Sequence, residues 1–132
     1  MADSCICNRN KPFDQCCGRF LVAGQKAKTP EQLMRSRYSA YALGGYGDYL
    51  LSTWFSATAA GLTAKALSEK TMEWVKLEVL SSNQTGDKAT VEFNAFYHEP
   101  DHSEVQVMHE VSVFQRTSGH WLYVGGEVSS LH

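Results

Sequence analysis

Two spacings of apolar residues divide the chain. Over positions 29–72 they recur at helical intervals, and from position 74 onward they fall at every second residue. The helical half opens on Thr29-Pro30-Glu31-Gln32. Thr29 suits an N-cap, Pro30 the first helical position, and Gln32 completes a capping box. The pattern predicts a helix over 29–43 that stops at Gly44-Gly45, where glycine can leave the helical conformation without steric cost. At 100° per residue, Leu33, Met34, Arg37, Tyr38 and Tyr41 share one face, and Arg35 and Ala42 fall on the other. Arg37 therefore sits inside an apolar stripe. A buried guanidinium without partners is very costly, so it must reach a carboxylate or several carbonyls. Asp48 is placed to cap a short helix over 49–54, offering Tyr49, Leu50, Leu51 and Trp54 to a core. Residues 55–61 read as a loop around Gly61. A more polar helix is expected over 63–72.

The alternating half predicts four strands. Residues 74–80 are rich in β-formers and are followed by a turn over 81–87 carrying Asn83 and Gly86. Over 90–98, Val91, Phe93, Ala95 and Tyr97 face one way and Thr90, Glu92, Asn94 and Phe96 the other. Over 105–116, Val105, Val107, His109, Val111 and Val113 oppose Met108, Glu110, Ser112 and Phe114. Ser118-Gly119 then turns into a last strand over 121–125. Three helices followed by four closely connected strands specify an α+β fold, with helices covering one face of an antiparallel sheet. The valine face is expected either to pair with a second copy in a homodimer or to lie under the chain's own helices.

Composition sets outer limits. With 132 residues, 43% of them hydrophobic, the chain suits one domain with a small appendage, and we divide it at 1–23 and 24–132. No apolar run is long enough to cross a membrane as a helix. A net charge of −2 does not favour nucleic acid or an anionic membrane surface. Arg9, Lys11, Arg19, Lys26 and Lys28 cluster in the first quarter and read as a solvated face. Met-Ala-Asp-Ser has neither a basic start nor an apolar run, so a cytoplasmic location and reduced thiols are expected.

The four cysteines change the picture most. Cys5, Cys7, Cys16 and Cys17 all lie in one short segment, spaced as Cys-x-Cys, eight residues, then Cys-Cys. Four thiolates suit one tetrahedral zinc ion with bonds of about 2.3 Å. A Cys-x-Cys turn can supply two sulfurs. Asn8, Asn10 and Lys11-Pro12 let the excursion reverse direction. The complex would carry a formal −2, which Arg9, Lys11, Arg19 and backbone N–H groups would offset. Disulfides between near neighbours would be strained. A closed four-cysteine set leaves no open position, so the metal is expected to be structural and not catalytic. His98, His102 and His109 show no metal-ligand spacing and read as solvated or packed side chains.

This spacing, followed by Gly18-Arg19-Phe20, resembles the SEC-C motif, the zinc-binding tail of the bacterial translocation ATPase SecA. The ligands match; Ile6, Asn8, Arg9 and Asn10 replace the motif's usual turn residues. Further along, Met34-Arg35-Ser36-Arg37-Tyr38 with Ala40, Asp48-Tyr49-Leu50, Thr53-Trp54, Glu110-x-Ser112-x-Phe114 and Gly119-x-Trp121-x-Tyr123 are similar to the YchJ family of bacterial proteins. The resemblance spans essentially the whole chain. It implies a central domain like nuclear transport factor 2, a curved sheet wrapped by helices into a cone, behind an N-terminal zinc knuckle.

A cone of this kind directs attention to its interior. The candidate lining is Arg37, Tyr38, Tyr41, Trp54, Trp74, Glu110, Ser112 and Tyr123. Glu110 is the one acid on an otherwise apolar or small-residue strand face. Desolvated, it could serve as a general base. The expectation favoured here is that it pairs with Arg37 and closes helix against sheet. The leading functional expectation is a non-enzymatic adaptor that presents the knuckle to a protein partner. The alternative is a small-molecule-binding or lyase/isomerase-like protein using the cone.

Overall fold

A computed structural model describes residues 5–7, 11–70 and 72–131. The expectations placed on Asn8, Arg9, Asn10 and Thr71 lie outside the described residues. A short helix α1 (Gly18–Leu21) follows the cysteines. It is succeeded by α2 (Pro30–Leu43), α3 (Gly47–Ser52) and α4 (Ala64–Leu67), then by strands β1 (Glu73–Thr85), β2 (Lys88–His98), β3 (Gln106–Thr117) and β4 (His120–Leu131). The strands form one antiparallel sheet in the order β1-β2-β3-β4.

Helix α2 starts as its capping residues dictate. Thr29 Oγ1 accepts from Gln32 N at 3.1 Å, and Gln32 Oε1 accepts from Lys28 N at 2.8 Å, one residue earlier than a strict capping box requires. It ends at Gly44, whose φ of 75° only glycine adopts freely. The burial of α2 is not a single stripe. Ala42 is buried, and so are Ser36, Ser39 and Ala40, because α2 contacts α1 and α3 as well as β1, β2 and β4. The helix is enclosed on two sides, and small residues let its neighbours approach.

Helix α3 starts at Gly47, with no side-chain cap from the residue before it, so Asp48 lies inside the first turn instead of capping it. The cap comes from outside the helix: Ser68 Oγ accepts from Gly47 N at 2.8 Å and donates to Ala64 O at 2.8 Å. Helix α4 covers four residues of the ten expected, capped by Thr63. Two strands run further than their hydrophobicity suggests. β1 continues through the expected turn to Thr85, which pairs with Lys88 across Gly86-Asp87. Its outer half is exposed on both faces, so polar residues occupy a true strand. β4 passes Gly125-Gly126 and stays paired to β3 as far as Leu131.

The inner sheet face carries Leu77, Ala89, Val91, Phe93, Ala95, Phe114 and Trp121, all buried against the helices. Among the described residues the opposite face carries no helical layer: Val107 and Val111 are half-buried, and Val105 and Val113 are exposed. The chain's own helices therefore do not cover the valines. Segment 53–55 joins the other sheet edge, where Phe55 N donates to Tyr123 O and Tyr123 N to Thr53 O. This bridge fixes Trp54 over the inner face beside β4.

Gly47 is the tightest contact in the helical layer, since a Cβ there would lie 1.8 Å from Ala64 O. Gly47→Ala is expected to cost about 3 kcal/mol, the upper part of the overpacking range, in urea unfolding followed by circular dichroism. Gly125→Ala meets no atom within 4 Å and should stay within about 0.5 kcal/mol of the parent.

Candidate metal centre and interior cavity

The cysteine segment folds back on itself through three local devices. Cys5 N donates to Lys11 O at 2.7 Å and closes the base of the excursion. Pro12 leads into a single 3-10 turn over Phe13–Gln15, which delivers Cys16 and then Cys17 at the start of α1. Gly18 allows the return: a Cβ there would sit 2.7 Å from Phe13 O. The outcome is four sulfurs that all lie within 4.8 Å of one another, every one of them buried.

This arrangement fits a tetrahedral metal. Bonds of about 2.3 Å require sulfurs about 3.8 Å apart, and Cys7 Sγ and Cys16 Sγ stand at 3.6 Å. All four cysteines are free thiols, so no disulfide competes for them. Without a cation the sulfurs share charge unevenly. Hydrogen bonds from the Cys17 and Cys7 thiols, helped by the backbone N–H groups of Cys7 and Cys17, pull the Cys5 thiol far below its ordinary range. The same contact to Cys5 pushes Cys17 up. A bound dication would favour the thiolate at each position. Arg19 Nε donates to Cys16 O at 3.0 Å and Arg35 Nη1 to Cys7 O at 2.8 Å, bringing positive charge to the rim of the cluster. Arg19 was expected there. Arg35 was not, because its partner lies 28 residues earlier in the chain. Cys5 Sγ also lies 3.9 Å from Ser39 Oγ, so α2 forms the floor of the knuckle.

On the far side of α2 lies a cavity of about 250 Å³. Arg37, Tyr38, Tyr41, Trp54, Trp74, Glu110, Ser112 and Tyr123 all line it, joined by Met34, Phe93, Ala95, Met108 and Phe114. Those five were not anticipated as lining, although four share the parity of Glu110 or of Val91 on their strands, which is the signal that would have found them. The aromatic walls interlock edge to face, with ring centroids 5.1 Å apart for Trp54–Tyr123 and 6.0 Å for Tyr38–Trp74.

The expected Arg37–Glu110 ion pair is not formed. Arg37 is 5% exposed, and its Nη1 donates to Leu50 O and Thr53 Oγ1, each at 2.7 Å. Its Cζ packs 4.7 Å from the Trp54 ring centroid and 4.6 Å from that of Tyr123. Burial works against its charge, and the nearby Tyr41 and Tyr123 hydroxyls partly oppose that. Thus a carbonyl, a hydroxyl and two ring faces do what a carboxylate was expected to do. Glu110, 8% exposed, accepts instead from Ser112 Oγ and, at 3.2 Å, from the Tyr123 hydroxyl. Gly126 on β4 makes room for it: a Cβ there would be 2.7 Å from Glu110 Oε2. Burial, and then the neighbouring Glu110, push the Tyr123 hydroxyl well above the ordinary tyrosine range, so it stays a donor at neutral pH. The histidines lie apart: His98 Nδ1 contacts Glu99 O, His102 faces the Glu99 carboxylate, and His109 Nε2 meets Glu92 Oε2 at 2.7 Å on the outer sheet face.

Cys7→Ser removes a donor that is 0% exposed. Elemental analysis of the purified chain should show about one metal ion per chain in the parent and loss of that ion in the variant. A parent that is metal-free and melts at the same temperature with and without chelator would rule the site out.

A family model described as "YchJ, middle NTF2-like domain" matches residues 29–126. A UPF0225 protein of Vibrio parahaemolyticus is 36% identical over 129 residues, covering 96% of this chain and 75% of its own length. One from Sodalis glossinidius is 35% identical over 130 residues, covering 96% and 84%. Among solved structures, the solution structure of a SEC-C motif containing protein from Rhodopseudomonas palustris superposes with a TM-score of 0.85 at 34% identity, covering 95% of this chain and 98% of that one. The crystal structure of a SEC-C motif containing protein from Psychrobacter arcticus gives 0.79 at 27%, covering 98% and 85%. A calcium/calmodulin-dependent protein kinase type II association domain from Thiobacillus denitrificans gives 0.63 at 16%, over 82% and 99%, a likeness of fold alone. With a cysteine cluster before a four-stranded sheet, and the family model matched across the body, the chain belongs to the YchJ family and its body has the NTF2-like fold.

Proposed function

We propose that this is a small-molecule-binding protein in which the metal centre serves the fold and the cavity serves recognition. The cysteines hold one zinc ion, the metal that four thiolates in a closed tetrahedron most often select. Its role is to dock the knuckle on α2. The observation that carries the reading is the state of the cavity wall: Arg37 and Glu110 are both buried there, and no ion pair joins them. An interior built only for stability would pair such groups or replace them with apolar ones. An apolar pocket with a few convergent polar groups is the usual form of a small-molecule site.

Occupancy of the cavity can be tested with 2-naphthol as a probe. It should bind saturably, quench Trp54 and Trp74 fluorescence, and stabilise the protein by about 2.7 kcal/mol at about 100 times its Kd. Ala95→Leu, which fills the inner wall, should abolish the quenching and keep the fold. Quenching that survives in that variant would overturn the reading.

A protein partner on the knuckle is the second reading, and one observation favours it. Val22, just after α1, is a large apolar side chain left 70% exposed beside the knuckle. Capture from a lysate with intact and metal-stripped protein should then return different partners; identical sets would count against an adaptor role.

A further inference from the structure

The polar end of the cavity constrains what it can hold. A guanidinium has five N–H donors. In Arg37 both donors on Nη1 are spent on Leu50 O and Thr53 Oγ1. The Nε–Nη2 edge has neither a carbonyl nor a carboxylate partner among the described residues, and the polar group beside the guanidinium is the Tyr41 hydroxyl. Glu110 spends Oε2 on Ser112 and Tyr123, while Oε1 accepts from no described residue. Both residues line the cavity, and among the described residues the enclosed polar atoms lacking a partner are Tyr38 OH, Trp54 Nε1 and Asn94 Oδ1. The cavity wall therefore offers one cationic donor edge and one anionic acceptor, joined through the Tyr123 ring and hydroxyl. The rest of the lining is aromatic or aliphatic; its other polar atoms are the Ser112 hydroxyl given to Glu110, the Tyr41 hydroxyl beside Arg37, and the enclosed Tyr38 hydroxyl and Trp54 Nε1.

We propose that the cavity takes a neutral, flat, largely apolar molecule whose single polar end carries an acceptor for Arg37 and a donor for Glu110, as a primary carboxamide or a ring lactam does. The proposal rests on the cavity being a binding site and adds the class of ligand. Size follows from volume: a dry cavity of about 150 Å³ holds benzene, so about 250 Å³ suits a two-ring body with a small head group. Charge follows from the wall. A carboxylate would satisfy Arg37 but would face Glu110 in a low-dielectric interior, and an amidinium would satisfy Glu110 but face Arg37. A head group that donates and accepts without net charge meets both and leaves neither buried group unpaired.

Three probes of one shape separate these cases: naphthalene-2-carboxamide, naphthalene-2-carboxylate and naphthalene-2-carboxamidine. Each is titrated calorimetrically into the full, metal-loaded chain at neutral pH. The amide is expected to bind at least about tenfold more tightly than either charged probe. Glu110→Gln keeps the shape and removes the negative charge, so the carboxylate should then gain at least about tenfold on the amide. A structural role for Glu110 would move all three affinities together and would overturn its part in recognition. If the variant does not fold, the ranking in the parent still decides. A charged probe that binds most tightly overturns the ligand class while leaving the cavity reading in place. Failure of all three probes, together with no saturable 2-naphthol binding, overturns both.

Discussion

Burial of α2 from two sides is the constraint on which the other features depend. One side of it touches the knuckle, through Arg35 to Cys7 O and Ser39 near Cys5 Sγ. Its other face presents Arg37, Tyr38 and Tyr41 to the cavity. A helix enclosed in this way cannot carry an ordinary polar stripe. The positions that would have been solvated are instead Ser36, Ser39, Ala40 and Ala42. The hydroxyls survive burial because they are bonded: Ser36 Oγ donates to Leu33 O and meets Tyr49 OH at 2.6 Å. Small side chains on that face let a segment of irregular backbone approach closely, which the cysteine cluster requires.

Arg37 shows how a buried charge can be accommodated without a counter-ion. Two bonds at 2.7 Å tie it to Leu50 and Thr53 at the end of α3, and its contact with Trp54 and Tyr123 ties it to the bridge that carries segment 53–55 onto β4. A desolvated guanidinium over aromatic rings gains about 2 kcal/mol per good contact. That solution holds helix, loop and sheet edge together, and it leaves Glu110 without an ion pair to Arg37. Glu110 is then supported separately, by Ser112 and Tyr123 in front and by the bare backbone of Gly126 behind. Two opposite charges remain near one another, each held in place by its own neighbours.

Much of this was legible along the chain, for reasons that differ by element. The start of α2 at Thr29-Pro30, its stop at Gly44 and the alternation in β2 and β3 were readable because local stereochemistry and packing agree there. The cavity lining followed from the same parity: residues on the inner face of β3 and on the apolar face of α2 meet because the helix lies across that face. The elements that were misread depend on distant partners. Asp48 looked like a cap, but Ser68, far along the chain, performs that task. The outer half of β1 looked like a turn because nothing packs on it, and only its pairing with β2 makes it a strand. Arg37 and Glu110 were matched as complementary charges, which ignores the carbonyl and the rings that no spacing rule reveals.

The cysteine cluster and the cavity differ in whether a position is open to exchange. Four thiolates around one ion complete its coordination and leave nothing for a substrate to displace. Burying the sulfurs under α2 adds to that closure, so a metal held there would act on the fold and on little else. The cavity has the opposite character, since among the described residues the Nε–Nη2 edge of Arg37 meets no carbonyl or carboxylate and Glu110 Oε1 accepts no hydrogen bond. A ligand arriving there would replace water at groups that are already fixed in place, and little ordering would be needed on binding. The rigidity comes from α2, and α2 owes part of its rigidity to the knuckle packed behind it. A metal held by the four cysteines would thus support recognition in the cavity without approaching the ligand, by holding in position the helix that carries Arg37.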